Sequence, residues 1–223
     1  MTLQEAMRAR HSVRQYIEKP IEDEKIQQLK ALIDECNREG HLHLQLVTNE
    51  PNAFSGGLAK YGKFVGVNNY IAVIGPKGED EKLGYYGEKV VLLAQTIGLS
   101  TCWVGLFYKK QPDKYQIIDG ETLPCVISLG YGANAGSAHP QKKGIEHFCN
   151  VKGAMPEWFR QGMEAALLAP TAINQQKFEF GLKNGNQVTA KTRFALTPYA
   201  KLDLGIVKCH FEIGAGKENF TWA

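Results

Sequence analysis

Hydrophobic positions recur along this chain at helical and strand spacings by turns, from its first residues to its last. Within residues 22–39, Ile26, Leu29 and Ile33 fall on one face, and a glycine follows the segment. This spacing predicts an amphipathic helix that packs one face against a core. Polar and apolar residues alternate instead in residues 41–48, and this alternation predicts a strand.

The same two periods predict the other elements. The first helix opens with a capping-box pattern formed by Thr2 and Glu5. Besides 22–39, the predicted helices are residues 2–10, 83–98, 114–118, 156–168 and 201–215. Besides 41–48, the predicted strands are residues 68–77, 100–107, 123–132, 177–184, 187–196 and 218–223. Two turn-rich segments predict connections, residues 49–66 and 133–151.

The order of the predicted elements repeats. Helix, strand, strand and helix precede Thr101-Cys102-Trp103 in the first part of the chain, and the same order precedes Thr221-Trp222 in the last part. We interpret the 223 residues as one domain with two related halves, about 1–132 and 152–223, joined by 133–151. The alternative is coincidence, since helices and strands alternate in many chains that contain both.

Composition narrows the class of protein. Hydrophobic residues make up 43% of the chain and charged residues 22%, which excludes disordered and fibrous proteins. The formal net charge of +3 is too small for a nucleic-acid-binding surface, but a mild positive excess helps to collect an anionic cofactor. No apolar run reaches the roughly 20 residues of a membrane span, and no signal-peptide pattern opens the chain. We therefore expect a cytoplasmic protein with neither a nucleic-acid nor a membrane partner.

Cysteine and histidine positions give no sign of a metal site. The five cysteines are well separated and form no CxxC pair, so we expect buried, reduced thiols and no bound metal. Cys102 has no basic neighbour in sequence that would activate its thiol. His210 lies among apolar residues at helical spacing, which is more typical of a hydrogen-bonded core histidine than of a base or ligand.

A candidate anion site follows the first helix, in the segment RHSVR. Arg10, Ser12 and Arg14 are two positions apart, and side chains at that spacing face the same side of an extended chain. Two guanidinium groups and a hydroxyl suit a phosphate, since arginine donates paired, charge-assisted hydrogen bonds. The alternative is solvated surface charge, the usual role of arginines near a helix end.

A second candidate motif is LLAPTAINQQKFEF, residues 167–180. Pro170 ends a predicted helix, Thr171 can hydrogen-bond locally, and Asn174 and Gln176 lie in irregular chain before a strand. An amide side chain offers a donor and an acceptor together, which matches the polar edge of a planar heterocycle such as a flavin pyrimidine ring. The alternative is an Asx-turn that links helix to strand.

A third candidate motif is IGLSTCWVGLF, residues 97–107, where a helix runs into a strand through small residues. Small side chains and accessible backbone N–H groups permit close approach of a ligand. The alternative is an ordinary helix-to-strand junction in which Trp103 fills the core.

Together these motifs resemble the nitroreductase family of FMN-dependent oxidoreductases. RHSVRQY resembles the family's Arg-x-Ser-x-Arg-x-aromatic motif, APTAINQQKF its Ala-Pro-Ser-x-x-Asn-x-Gln-Pro-Trp segment, and GLSTCW its Gly-Leu-x-Thr-x-Trp sequence. The Asn-Gln segment lies here in the C-terminal third rather than early in the chain. The chain is thus similar to the branch in which one chain imitates the family's homodimer. The resemblance implies an α+β fold, a mostly antiparallel sheet flanked by helices in two pseudo-symmetric halves, with one FMN between them.

The resemblance also implies roles for individual residues. Arg10, Ser12 and Arg14 would hold the phosphate and ribityl chain, with His11 contributing its backbone. The same comparison places ring contacts at Pro170, Thr171 and Asn174, the ring's reactive edge near the backbone of Trp103, Val104 and Gly105, and a further phosphate contact at Lys142 and Lys143.

The activity implied is reduction of the flavin by NAD(P)H and electron delivery to a nitroaromatic, quinone or similar acceptor. No side chain is required as an acid or base, since the cofactor carries the redox chemistry, and we name no catalytic residue. The alternative is a flavin-binding protein without turnover, a carrier or sensor. The oligomeric state stays open, and a monomer is compatible with an intramolecular pseudo-dimer.

Overall fold

The computed structural model describes residues 1–138, 143–151 and 155–223. Its α-helices are α1 (Leu3–Ala9), α2 (Asp23–Gly40), α3 (Gly57–Tyr61), α4 (Asp80–Thr96), α5 (Glu157–Leu168) and α6 (Ala200–Ala215). Its strands are β1 (Gln45–Val47), β2 (Asn69–Pro76), β3 (Ser100–Val104), β4 (Glu121–Gly130), β5 (Phe178–Lys183), β6 (Gln187–Thr192) and β7 (Thr221–Trp222).

The first part of the chain forms a four-stranded sheet in the order β1-β2-β4-β3, in which every neighbouring pair is antiparallel. The central pair β2 and β4 is aligned so that Ile71 lies opposite Ile127. Both residues are fully buried, as expected of apolar strands covered on both faces.

The last part forms a second sheet in the order β5-β6-β7. Strands β5 and β6 make an antiparallel hairpin that sets Phe180 opposite Ala190, whereas β7 joins β6 in parallel and sets Trp222 beside Val188. The predicted α+β class and the mostly antiparallel pairing are therefore confirmed, with the strands divided between two sheets.

Helices α4 and α6 meet at two glycines. A Cβ atom at Gly84 would lie 1.9 Å from the carbonyl oxygen of Leu202, and one at Gly205 would lie 1.8 Å from that of Glu81. The contacts are reciprocal, because the residues exchange roles at one separation of 121 positions (81 and 202, 84 and 205). Only glycine permits so close an approach of two helix backbones.

One hydrophobic core joins the two parts of the chain. Ile71 and Ile127 of the first sheet belong to the same buried cluster as Phe180 and Val188 of the second and Phe211 of α6. The second sheet therefore packs on elements of the first part rather than folding as a separate unit.

Three predicted elements differ from the structure. The strand predicted at 41–48 is confined to β1, because the Asn37 side chain exchanges two hydrogen bonds with the backbone of Leu44 and holds this segment against the end of α2. Residues 114–118 are not helical, since a 3-10 turn at Pro112–Lys114 is followed by extended chain. The predicted connection 49–66 contains the short helix α3.

No helix in the part of the chain that the structure describes is long and apolar enough to cross a membrane.

Candidate functional site

The RHSVR segment is held in extended form beside the first sheet. Arg10 ends α1, and its backbone N–H still donates to Ala6. Two residues on, Ser12 forms a bridge with Thr101 at the start of β3, and the Val13 N–H donates to the Thr101 carbonyl over 3.0 Å. Val13 is buried, whereas the residues on either side of it line an opening. The segment thereby runs alongside the strand that carries Trp103.

A cavity of about 710 Å³ opens at this junction, a volume within the usual range for small-molecule sites. Its walls come from both parts of the chain, since α6 and the segment after α5 face RHSVR and the end of β3. The structure brings ten of the twelve predicted residues to this cavity: Arg10, His11, Ser12, Arg14, Trp103, Val104, Gly105, Pro170, Thr171 and Asn174.

The outcome for the two remaining predicted residues differs. Lys143 is not among the residues that line the cavity, and its Nζ atom lies 2.8 Å from Nε2 of His147. Lys142 falls outside the described residues. The prediction for Lys143 rested on the family resemblance of a basic pair after the predicted strand 123–132, and sequence position alone does not decide where the connection 133–151 leads.

Arg10 is the buried cation of the site. Only 7% of the residue is exposed, and its Nε atom has no hydrogen-bond partner among the described residues. The nearest opposite charge is Glu88 of α4, whose Oε1 lies 3.9 Å from that Nε. Arg14, by contrast, is exposed, with its guanidinium 6.0 Å from the centre of the Phe64 ring. Both arginines thus line the same cavity, Arg10 from a buried position and Arg14 from an exposed one.

Glu88 is a buried carboxylate that the sequence analysis missed. It is fully buried and accepts a hydrogen bond from the indole N–H of Trp103 over 2.8 Å, and its Oε1 lies 2.9 Å from Nε2 of His210. The other ring nitrogen of His210 lies 3.2 Å from the Ala165 carbonyl oxygen. The prediction of a hydrogen-bonded core histidine is confirmed. A carboxylate inside the apolar pattern of α4 was the available signal for Glu88.

Glu88 and Gly87 together fix the orientation of Trp103. A Cβ atom at Gly87 would lie 2.5 Å from the indole ring, so the ring rests directly on the helix backbone while Glu88 holds its N–H. Trp103 therefore lines the cavity and also packs against the core. It thus combines the two alternatives considered for residues 97–107, a position beside a ligand site and a side chain that fills the core.

The segment after α5 turns through unusual backbone conformations. Ile173, Asn174 and Gln176 have φ angles of 49°, 52° and 45°, in the left-handed region that non-glycine residues seldom adopt and β-branched residues adopt least. Thr171 forms the predicted local bond, because its Oγ1 accepts from the Gln176 N–H over 3.0 Å. The segment is thus an ordered turn on the cavity wall, closed by the hydrogen bond between Thr171 and Gln176.

Asp203 is a second carboxylate that the sequence analysis missed. It lies in the first turn of α6 on the cavity wall, is 5% exposed, and accepts hydrogen bonds from the Ala172 N–H and the Gln175 side chain. Burial raises the pKa of Asp203 to about 6, although both hydrogen bonds act in the opposite direction. Nearby, a Cβ atom at Gly105 would lie 2.3 Å from the Tyr199 hydroxyl.

The thiols play no visible part in this arrangement. All five cysteines are buried and free, as predicted. Within the described ranges, no group of three or more His, Cys, Asp or Glu side chains is placed to hold a metal ion. Burial also raises the pKa of Cys102, despite the opposing effects of Arg14, Ser12 and Arg10, so its thiol stays protonated near neutral pH.

We expect Cys102→Ser to leave the flavin reduction by NAD(P)H that the family resemblance implies within about threefold of wild type, because a protonated, buried thiol is a poor redox partner. Anaerobic stopped-flow at the flavin absorbance would measure the rate. Complete loss of reduction in a folded, flavin-loaded variant would instead make the thiol part of the reaction.

Solved structures with the same fold are described as putative nitroreductases or as a putative NADH oxidase. A "putative nitroreductase" from Thermotoga maritima is 20% identical, and the match covers 98% of this chain and 85% of that one with a TM-score of 0.67. A "putative nitroreductase in complex with FMN" from Desulfovibrio desulfuricans is 15% identical over 70% of this chain and 99% of that one, with a TM-score of 0.51. A "putative NADH oxidase" from Clostridium acetobutylicum is 18% identical over 66% and 99%, also with a TM-score of 0.51.

These likenesses under 25% identity establish the fold. No curated protein matches the chain. A protein-family model described as "Putative TM nitroreductase" matches residues 2–215, which is nearly the whole sequence. The chain therefore belongs to this nitroreductase family.

Proposed function

We propose that this chain binds FMN in the cavity and works as an FMN-dependent oxidoreductase, taking electrons from NAD(P)H and passing them to a nitroaromatic, quinone or similar acceptor. The observation that carries the proposal is the Arg10 side chain, a buried cation that lines a cavity of about 710 Å³ and whose Nε, 3.9 Å from Glu88, has no hydrogen-bond partner among the described residues. A buried donor without a partner carries a free-energy penalty that an anionic ligand group would relieve.

The remaining donors on the wall fit the same group. Ser12 and Arg14 add a hydroxyl and a second guanidinium to Arg10, which together suit a terminal phosphate. The backbone at Gly105 and the Asn174 amide supply polar atoms for the edge of a planar ring. The residues present therefore fit FMN.

When bound, FMN supplies hydride acceptance and one- or two-electron transfer. The protein's part is to bind, orient and shield. Arg10 and Arg14 would neutralise the phosphate, while Trp103, held by Glu88, forms a fixed apolar surface beside the backbone at Gly105. The apolar side chains of the wall, among them Leu202 and Ile206, exclude water from the reacting face.

The experiment that tests the proposal identifies the cofactor. Protein purified with its natural ligand should be yellow, and heat should release FMN that co-migrates with a standard on chromatography. Reconstituted protein should then oxidise NADH or NADPH with a panel of quinone and nitroaromatic acceptors. Release of FAD, or a protein without affinity for any flavin, would contradict the proposal.

We expect Arg14→Ala to weaken FMN binding by one to two orders of magnitude and His11→Ala to change it little. Loss of a hydrogen bond to a charged group costs roughly 1.5–3 kcal/mol, whereas His11 is proposed to contribute only its backbone. Quenching of flavin fluorescence during titration of each apoprotein would measure both affinities. Equal, small effects would mean that the RHSVR segment is only surface.

We further propose that one FMN lies between two halves of a single chain related by an approximate two-fold axis. The reciprocal glycine contacts of α4 and α6, at one separation of 121 positions, support such an axis. In the first sheet, β2 and β3 flank β4 and run parallel to each other. In the second sheet, β6 and β7 also run parallel, but they pair directly. The Desulfovibrio structure matches almost in full while covering 70% of this chain.

The test for an intramolecular site mixes two defective chains. Arg14→Ala and Asn174→Ala proteins should each bind FMN weakly, and their mixture should bind no better than either alone, because each cavity would keep one defect. Recovery of up to a quarter of the wild-type sites in the mixture would place the site between chains. The mixture is denatured and refolded so that subunits can exchange. A wild-type sample treated in the same way is the control.

The second candidate function is a flavin-binding protein without turnover. Lys177 and Phe178 stand where the family's Asn-x-Gln-Pro-Trp segment has proline and tryptophan. This difference favours the second candidate function. Steady-state oxidation of NADH and NADPH by the FMN-loaded protein separates the two, since a carrier or sensor would bind flavin and show no acceptor-dependent rate.

A further inference from the structure

The segment between α5 and β5 is strained and yet well anchored. Three of its non-glycine residues occupy the left-handed region, Ile173, Asn174 and Gln176. Each such conformation costs of order 1–3 kcal/mol and persists only where surrounding contacts over-determine it. All three line the cavity, and Ile173 and Asn174 are exposed, so the anchor lies elsewhere.

The anchor is the carboxylate of Asp203. Its two oxygens lie 3.0 and 3.1 Å from the Ala172 backbone nitrogen. One of them also accepts from Nε2 of Gln175 over 3.2 Å, and the same Nε2 donates to Thr197 over 2.7 Å. The carboxylate therefore grips the segment on both sides of the strained residues Ile173 and Asn174.

The glycine contact between the helices makes this anchor rigid. Gly205 lies two residues after Asp203 on α6, where the helix backbone touches that of α4. The carboxylate is thus presented from a helix that cannot move aside, which is the arrangement that precise positioning of a binding segment requires.

We propose that Asp203 is a positioning residue for FMN: its ionised carboxylate holds residues 171–176 in the conformation that presents Asn174 to the cavity. The proposal rests on the proposed function. Asp203 need not touch the cofactor, since it acts through the backbone of Ala172 and the side chain of Gln175.

The chemistry of the clamp gives it a pH dependence. A carboxylate accepts hydrogen bonds at both oxygens. Protonation converts one oxygen into an O–H donor, which then faces the two donors of the clamp, the Ala172 N–H and the Gln175 amide. Burial raises the pKa of Asp203 to about 6, so the clamp is complete above that pH and weakens as the pH falls through it. FMN affinity should therefore decrease from pH 7.5 to pH 5.0.

Two titratable groups packed near Asp203, Cys125 and Tyr199, do not change charge in that range, and the other titratable groups of the cavity wall are common to every variant compared. Cys125 of β4 faces Asp203, and its pKa is raised by burial first and then by Asp203 and Asp80 of α4. The pKa of Tyr199, which precedes α6, is raised by burial and then by Cys125. Residues 171–176 contain no titratable side chain.

The test compares Asp203→Asn with wild type and with Glu212→Gln. Glu212 is a matched control, because it is a partly buried carboxylate of the same helix that accepts from Tyr85 and Trp222 away from the cavity. FMN affinity is measured by fluorescence titration at pH 7.5 and pH 5.0. The phosphate of FMN itself titrates near pH 6 and affects every variant, so the ratio of affinities is the readout.

We expect Asp203→Asn to bind FMN about tenfold more weakly than wild type at pH 7.5 and equally at pH 5.0, with Glu212→Gln following wild type at both. A second readout needs no cofactor: in the apoprotein, the Ala172 amide should exchange with solvent about tenfold faster in Asp203→Asn. An affinity ratio that is the same at both pH values, together with unchanged exchange at Ala172, would overturn the proposal. Wild type that binds no FMN would refute the proposed function, while amide exchange would still decide the role of Asp203.

Discussion

Gly205→Ala is expected to abolish stable folding or to lower the free energy of unfolding by more than about 4 kcal/mol, among the largest effects of a single substitution. The added Cβ would lie 1.8 Å from the Glu81 carbonyl oxygen and 2.7 Å from the Tyr85 nitrogen. Both are backbone atoms of a helix and cannot rotate away, so α4 and α6 would have to separate. Such a separation would open gaps in a core that is close-packed.

Urea unfolding followed by circular dichroism would measure this loss. Gly57→Ala is the matched control, since Gly57 is also helical but a Cβ there would meet nothing within 4 Å. We expect this control to be neutral or stabilising by about 0.5–1 kcal/mol, because alanine favours a helix. A Gly205→Ala protein with the same denaturation midpoint as wild type would contradict the close contact of the helices.

Glu88→Ala is expected to destabilise the protein by about 3–5 kcal/mol, the usual effect of removing one member of a buried charged network. The substitution takes the acceptor from the indole N–H of Trp103, removes the hydrogen-bond partner of Nε2 of His210, and removes the negative charge that lies 3.9 Å from Nε of Arg10. For a protein of this size the loss corresponds to a melting temperature lower by about 10 °C.

Thermal melts of the cofactor-free protein would test this expectation. Glu81→Ala is the control on the same helix, because its ion pair with Lys208 is partly exposed and should contribute no more than about 1 kcal/mol. Similar melting temperatures for both variants would show that the buried network around Glu88 adds no stability. A further drop in FMN affinity for Glu88→Ala would indicate that Arg10 and Trp103 depend on it for their positions.

Local sequence patterns predicted much of the fold and of the candidate site. Helix α2 begins and ends within one residue of its predicted bounds, since its apolar spacing is a local signal, but its left-handed cap is His41 rather than the predicted Gly40. The convergence of Arg10, Ser12 and Arg14 on one cavity followed from the geometry of extended chain. The β5–β6 hairpin and helix α6 were also predicted, because the hydrophobic positions of each element recur with a single period.

What the sequence did not reveal depends on distant neighbours. Asp203 looks like an ordinary helix carboxylate until the fold places Ala172 against it, and the position of Glu88 inside an apolar pattern does not identify His210 as its partner. The left-handed backbone at Ile173 has no sequence signal, because a β-branched residue is the least expected there. Non-local packing decides such features, and no window of local sequence contains it.

The two glycines between α4 and α6 also bear on how a ligand enters. Helices in backbone contact cannot slide or part without breaking many contacts at once, so thermal breathing of the frame is suppressed. Trp103, whose indole N–H is held by Glu88 of α4, lines the cavity, as do Leu202 and Asp203 of α6. Access is then left to the mouth, where Leu106 and Ile173 are largely exposed and belong to neither helix. We expect the identity of the side chains at the mouth, rather than any closing motion of the helices, to govern which acceptors enter and how fast.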